Sequence, residues 1–349
     1  MKPTVLVITT VHWPDDTRIR ERLIRTLLPD FAVRYAARSP GPSDRSGFEF
    51  IELRGGRLRR NLMVLRLCLG DQWDILVLHD PETLFAGIVA RLIKQKPVVF
   101  DVHEDVPATA LTRDWVPGWL RRPLSWAARE SLRLAEKVLE ITLAEQGYAR
   151  LFRGQHPVFP NYPDTSRYPD PIATSNGEVV HLGDTTIVRG AEVAVDACSE
   201  LGMPLRLIGR VAQGTRATLQ ARSGLGDRLV FEGVLPNPLA LEQVAVSSVG
   251  LAPLLDIPNY RHSQPTKVLE YLALGVPVVA SDLPGTSELV EGLDAVFLVD
   301  PGEPAKLAAG IRRATTKDVR DTAQAQAMTV RERFRWPAEE VSAFYLSLL

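Results

Sequence analysis

Residues 260–289 read YRHSQPTKVLEYLALGVPVVASDLPGTSEL, from Tyr260 to Leu289. Ser263, Gln264 and Pro265 look like a helix entry, because a proline in the first turn forfeits only an amide that has no partner within the helix. Lys267 to Leu274 continues the helix, with Val268, Leu269, Leu272 and Ala273 on one apolar face. Gly275 ends it and Pro277 prevents its return. Val276, Val278, Val279 and Ala280 then form a short apolar strand of the kind buried in a parallel sheet. Ser281, Asp282, Pro284 and Gly285 follow at its carboxyl end.

Two features of this stretch suggest chemistry. The helix start gathers free backbone N–H groups, a positive dipole end and Lys267, a combination that suits a phosphate or diphosphate. Glu270 lies one turn after Thr266, and a carboxylate beside a phosphate site often holds a ribose hydroxyl pair. The same residues also fit a solvated surface helix in which Lys267 and Glu270 pair weakly.

Outward from there, the α/β design recurs. Val5 to Thr9 is a buried-type strand with an exit loop at Val11 to Asp16. Thr17 to Leu28 is helical, with Ile19, Leu23, Leu27 and Leu28 inward and Arg18, Arg20, Arg22 and Arg25 mostly outward. Phe31 to Ala37 is the next strand, so the chain opens as a doubly wound α/β sheet. Such sheets place ligands beyond the carboxyl ends of their strands, which makes His12, Asp15 and Arg18 candidates for contact with an acceptor. Asp15 and Asp16 equally suit a role as partners of the helix dipole.

Two further strands, Trp73 to His79 and Val98 to Val102, end in His79-Asp80-Pro81-Glu82 and Asp101-Val102-His103-Glu104-Asp105. Histidine with carboxylates can bind a metal, but no HxxxH or CxxC spacing supports one and none is assigned. The stretch from Trp115 to Trp126 mixes tryptophan with Arg121 and Arg122. Core packing is expected for its tryptophans, since Pro117 and Pro123 argue against an interfacial helix.

Thr165 to Gly177 is rich in Ser, Thr, Pro, Asp and Asn and reads as a linker. The α/β pattern then restarts with the strand Val179 to Leu182 and the glycine-bounded loop Gly183 to Gly190, which carries Arg189 just before a helix. Leu205 to Ile208 runs into Gly209-Arg210, and Leu229 to Val234 is a strand and turn.

The chain has 349 residues, which suits two domains, and its 45% hydrophobic content is that of a globular protein. Its formal net charge is −1. Residues 1–168 carry 25 Lys and Arg against 20 Asp and Glu, and the rest carries 16 against 22. A near-neutral chain argues against a dedicated nucleic-acid binder. Cys68 and Cys198 are the only cysteines, both in apolar segments, and no disulfide is expected.

Residues 265–281, PTKVLEYLALGVPVVAS, resemble the donor-binding segment of the retaining glycosyltransferases of family 4, whose fold is GT-B. That family often has a second Glu eight residues before the ribose-binding one; His262 stands there in this chain. The resemblance extends to the HDPE and DVHED loops, to Arg189 in place of a Lys before Gly, and to a terminal helix led by Phe334 and Trp336. An Arg usual after the first glycine of the donor loop is Asp184 here.

The resemblance implies two Rossmann-like domains facing a cleft. Residues 1–168 would be the acceptor side, 169–330 the sugar-nucleotide domain, and 331–349 a helix crossing back to the first. It implies transfer from a nucleoside-diphosphate sugar with retention and without a metal or other cofactor. Arg189 and Lys267 would neutralise the leaving diphosphate, and His103 would orient the transferred sugar. Glu270 would hold the ribose, with Gly183, Gly209, Arg210, Gly233, Val234, His262, Pro265 and Thr266 around the donor. A saccharide, lipid-linked or small-molecule acceptor would enter past His12, Asp15, Arg18, His79 and Glu104.

The alternatives are a sugar-nucleotide epimerase of the same design and a silent nucleotide-sugar-binding member. No GxGxxG follows the first strand of either half, which disfavours a dinucleotide-dependent oxidoreductase. The expected location is the cytoplasm, with room for weak peripheral contact with the membrane.

Overall fold

The computed structural model describes residues 2–42, 44–112 and 116–349. They form two compact units, Met1–Asn161 with Trp336–Leu349, and Tyr162–Arg335. The first holds a six-stranded sheet of β1 (Thr4–Ile8), β2 (Ala32–Arg38), β3 (Phe48–Leu53), β4 (Ile75–Leu78), β5 (Val98–Val102) and β6 (Glu140–Leu143), in the order β3-β2-β1-β4-β5-β6. The second holds β7 (Val179–Leu182), β8 (Leu205–Ile208), β9 (Leu229–Gly233), β10 (Val249–Ala252), β11 (Val278–Ser281) and β12 (Val296–Val299), in the order β12-β11-β10-β7-β8-β9. Neighbouring strands are parallel throughout.

Counted within its own unit, each sheet has the same strand order. Its direction of winding reverses between β1 and β4, or between β7 and β10. Ligands of doubly wound folds sit beyond the carboxyl ends of the strands at that reversal. Both faces of the sheets are covered, which is why their strands read as unbroken apolar runs. In β1, Leu6 and Ile8 enter one core, whereas Val5 and Val7 enter the other.

The reversal in the second sheet is built by the opening motif. Tyr271, on the Thr266–Ala273 helix, is fully buried. Its hydroxyl accepts from the Leu182 amide at 2.7 Å and donates to the Leu251 carbonyl at 3.2 Å, bridging the ends of β7 and β10. A Cβ on Gly250 would lie 2.3 Å from its ring, so the strand beneath must be bare. Gly190 closes the β7 loop at φ +79°, with the Pro253 carbonyl oxygen only 1.8 Å from where a Cβ would stand. Gly190→Ala therefore meets both a left-handed backbone and a backbone clash. We expect it to cost about 3 kcal/mol or more, read as the denaturation midpoint of the second unit.

Four features depart from the sequence reading. First, Thr17–Ile24 winds as a π-helix, and Arg18, Arg20 and Arg22 are buried instead of outward. The wider turn carries them under the sheet end, where each finds a partner: Asp101 for Arg18, Asp15 for Arg20 and Asn161 for Arg22. Second, Gly118–Glu136 is one 19-residue helix despite Pro123, which lies on its exposed side. Trp119 and Trp126 are exposed and not in the core; Trp115 falls outside the described residues.

Third, Lys317–Arg333 forms a 17-residue helix that apolar periodicity does not mark, because its inward face is built from Arg320, Ala323, Ala327 and Val330 and not from large apolar residues. Fourth, the linker-like stretch is tied down. Arg320 donates to the Ile172 and Ser247 carbonyls, each at 2.6 Å, and Gln324 also donates to Ile172.

The terminal helix Ala338–Leu346 belongs to the first unit, where Trp336, Val341 and Tyr345 pack with Ile19, Leu23 and Phe159. Both cysteines are buried and unpaired, and burial pushes each thiol up to about 12. No helix among the described residues is long and apolar enough to cross a membrane.

Candidate active site

Each reversal point carries a polar cluster. In the first unit it forms where β1, β4 and β5 end. Asp80, buried after β4, accepts from Thr9 Oγ1 at 2.8 Å and from the Thr10 amide at 2.6 Å, which shapes the loop after β1. That loop presents His12, whose Nδ1 lies 3.3 Å from Asp16 and whose Nε2 lies 3.5 Å from Asp80. The His12 ring tilts against His103 at 4.5 Å between centroids, and His79 stacks on His103 at 5.3 Å.

Burial opposes a charge on His12, but the hydrogen bond to Asp16 and the carboxylates of Asp16, Asp80 and Glu104 outweigh it and raise it to about 9. Burial, followed by the charge on His12, lowers His103 to about 3. The cluster thus pairs an imidazolium with a neutral imidazole at neutral pH. His103 Nε2 is buried with no hydrogen-bond partner among the described residues, which leaves it available to a ligand hydroxyl.

His79, Asp101 and His103 offer ligand atoms within 4.8 Å of one another. Asp101, however, is already engaged. Arg18 donates to both its oxygens at 2.9 and 2.8 Å, and Thr142 Oγ1 donates at 2.8 Å. A cation bound there would lie against a buried guanidinium, so the donor set does not fit a metal. Arg18 also donates to the Phe159 carbonyl at 3.0 Å. It supports the cluster from beneath and is corrected from an acceptor-contact candidate to a structural one. Asp15 is turned toward Arg20 at 2.8 Å, and Asp16, its neighbour, is the carboxylate that faces His12.

In the second unit, Lys267 stands in the first turn of Thr266–Ala273, with Pro265 as the preceding cap residue and only 8% of its surface exposed. Its Nζ is 3.1 Å from Nε2 of the fully buried His181 on β7. A charged Lys267 can only donate, so Nε2 must accept. Burial first, then the charge of Arg189, brings Lys267 down to about 7, against the opposing pull of Glu270 and Asp184. Burial, Lys267 and Arg189 likewise hold His181 well below its ordinary value. Lys267 and Arg189 thus lie near each other beside a neutral imidazole, and the carboxylates of Glu270 and Asp184 offset their repulsion only in part.

The glycines at the strand exits bring the chain close to this point. Gly183 is at φ +98°, 3.8 Å from Lys267 Nζ as measured from its would-be Cβ. Gly209 is at φ +135°, where a Cβ would strike the Gly183 carbonyl at 2.3 Å. Its amide donates to Gly233 at 2.8 Å, so the exits of β7, β8 and β9 are laced together. Val234, next along, is exposed. Arg210 pairs with Asp184 at 2.6 Å, joining the two positions at which an arginine is expected and displaced. Glu270 is half-buried and accepts from the Tyr168 hydroxyl at 3.5 Å. His262 is exposed, and its backbone packs against Gly285, where a Cβ would lie 2.6 Å from the His262 carbonyl carbon.

The structure therefore gathers His12, His79 and His103 in one unit, and Gly183, Thr266, Lys267 and Glu270 near one helix start in the other. His181, Asp16 and Asp80 are absent from the sequence-predicted set. His181 sits mid-run in an apolar strand, where only its polarity could have marked it.

A model of the family described as glycosyl transferases group 1 matches residues 177–317, most of the second unit. The D-inositol 3-phosphate glycosyltransferase of Acidothermus cellulolyticus is 27% identical over 174 residues, covering 45% of this chain. The matched stretch spans 38% of that protein. Sucrose-phosphate synthase from Thermosynechococcus elongatus has a similar structure, with a TM-score of 0.78 at 15% identity, over 100% of this chain and 99% of that one. Anabaena HepE in complex with UDP and glucose gives 0.73 at 18% identity, over 99% and 100%. WaaG, a glycosyltransferase involved in lipopolysaccharide biosynthesis, gives 0.73 at 12% identity, over 97% and 99%. These likenesses, with the two parallel six-stranded sheets, show the GT-B fold.

Proposed function

We propose that this chain is a glycosyltransferase that moves a sugar from a nucleoside-diphosphate donor to a hydroxyl acceptor, with retention and without a metal. The observation that carries this reading is the buried Lys267, set beside Arg189 and a helix start at the β7/β10 reversal, within the span matched by the family model. A diphosphate would complete the neutralisation that Glu270 and Asp184 supply only in part. As the bond to the sugar breaks, charge grows on that diphosphate, and cations fixed in a water-poor site stabilise it most.

In this reading Glu270 holds the ribose, and backbone groups at Gly233 and Val234 meet the base. Gly183, Gly209 and Arg210 line the donor, as do Pro265 and Thr266, and His262 stands at the edge of that site. His103 orients the transferred sugar through its unpaired Nε2. The acceptor, a saccharide, a lipid-linked saccharide or a small molecule, is received on the side of His12, His79 and Glu104. HepE, with its UDP and glucose, makes uridine diphosphate sugars the first donors to try.

Calorimetric melting with UDP, GDP, dTDP, ADP and CMP sugars tests the donor site. One class is expected to raise the melting temperature of the wild type by a few degrees at about 100-fold over its Kd, and not that of Glu270→Ala. If every class leaves the wild type unmoved and no donor is hydrolysed or transferred, the reading fails.

A further inference from the structure

Three helices cover one face of the first sheet: Arg57–Leu69, Leu84–Lys94 and Gly118–Glu136. All three send their buried residues into the same core, through Val64 and Cys68, Leu84 and Ala90, and Leu132 and Ala135. They are adjacent in space, the second lying between the other two. Their outer side departs from the rest of the molecule. They hold four, two and four basic residues, against none, none and two acidic ones, in a chain whose net charge is −1.

Among these cations stand large apolar side chains with nothing over them. Trp119 and Trp126, two turns apart on one helix, are 77% and 68% exposed. Leu58 is 77% exposed and Phe85 72%. Leu92 and Ile93 end the middle helix in the same state. Single exposed apolar residues need no explanation, but a contiguous layer of them marks a binding surface.

We propose that this layer docks the protein on a bilayer bearing anionic headgroups. The charge pattern selects that occupant. Arg57, Lys94 and Arg133 pair with Glu82, Asp71 and Glu130, but the exposed Arg59, Arg66, Arg122 and Arg129 have no acidic partner among the described residues, and such cations are drawn to an anionic leaflet. Tryptophans with Leu and Phe beside them settle at the boundary between headgroups and acyl chains, with no spanning helix required. A second copy of the chain fits poorly, because a symmetric contact would press one cationic layer onto another. A nucleic acid would satisfy the arginines but leave the exposed Leu, Ile and Phe side chains in water.

Flotation of the full chain with vesicles tests this. Vesicles of phosphatidylcholine mixed with phosphatidylglycerol are expected to carry the protein, with a blue shift of tryptophan emission, and salt should release it. Phosphatidylcholine alone should not carry it. Arg122→Gln with Arg129→Gln should weaken the partition by about tenfold or more, since each basic residue near the surface contributes roughly fivefold. Trp119→Ser with Trp126→Ser should abolish the blue shift while leaving the melting temperature unchanged. Failure to float with anionic vesicles would overturn the proposal. So would floating that both double variants retain in full, duplex DNA that competes the protein off the vesicles, or a dimer in solution that the tryptophan variant dissociates.

Discussion

Lys267→Met is expected to leave the ligand-free protein at least as stable as the wild type at neutral pH, while cutting sugar transfer by about two to three decades. The two effects have one cause. Lys267 is buried beside Arg189 and, among the described residues, hydrogen-bonded only to a neutral imidazole, so its charge is held in the folded state against the cost of desolvation. Because its folded value lies near 7 and its unfolded value near 10.5, the unfolded chain binds the extra proton between those values. Stability therefore rises with pH across that window, and the burden is fully present below pH 7. It amounts to roughly 5 kcal/mol in order of magnitude. Methionine fills the same space without the charge. His181 loses its donor, which offsets part of the gain.

Calorimetry at pH 7 and pH 9 checks the stability half: the advantage of the variant should be larger at pH 7. A bound diphosphate should also raise Lys267 back toward its ordinary value. Donor binding above pH 7 then takes up a proton, and Kd should climb by up to about tenfold per pH unit. Lys267→Arg, always charged, should flatten that slope. A Kd independent of pH between 6.5 and 8.5 in the wild type would count against a diphosphate at Lys267.

That cluster also measures how much of the molecule can be read from residues alone. The helix and strand of 266–281 are legible because capping, apolar periodicity and Gly-Pro punctuation all agree, and the structure places Thr266–Ala273 and Val278–Ser281 there. The strand-exit glycines are legible because positive φ has few other solutions. His181 is not, because its importance lies in a contact with Lys267 across 86 positions of sequence.

Arg18 misleads for a related reason. At helical spacing an arginine among four reads as solvated, and only the π-helical winding together with a carboxylate at the end of β5 turns it inward. The exposed tryptophans are the converse case. Aromatic side chains are read as core by default, and the pattern in Gly118–Glu136 becomes informative only when Leu132 and Ala135 are seen to hold the inner face.

Asp101→Ala is the change expected to damage the first unit most, at about 3–5 kcal/mol. It removes both oxygens from the Arg18 fork and strands a guanidinium that is 5% exposed, with the Phe159 carbonyl as its remaining anchor. It also takes the acceptor from Thr142 and the carboxylate nearest His79, at 3.4 Å. Arg18→Met alone leaves a buried carboxylate that can escape by taking a proton, so its cost should be smaller and should fall as the pH is lowered toward the ordinary carboxylate range. The double replacement, Arg18→Met with Asp101→Ala, removes both charges and should recover part of the loss, giving a coupling on the order of 2 kcal/mol in a double-mutant cycle.

Tryptophan fluorescence during urea unfolding is the natural readout, because all six tryptophans lie in the first unit. If the two losses simply add, the pair is not a unit and Arg18 returns as a candidate for acceptor contact. If they couple as expected, Arg18 takes the place that a metal would otherwise fill beneath His79 and His103. Arg18 would then add its charge to the burial and the charged His12 that keep His103 neutral.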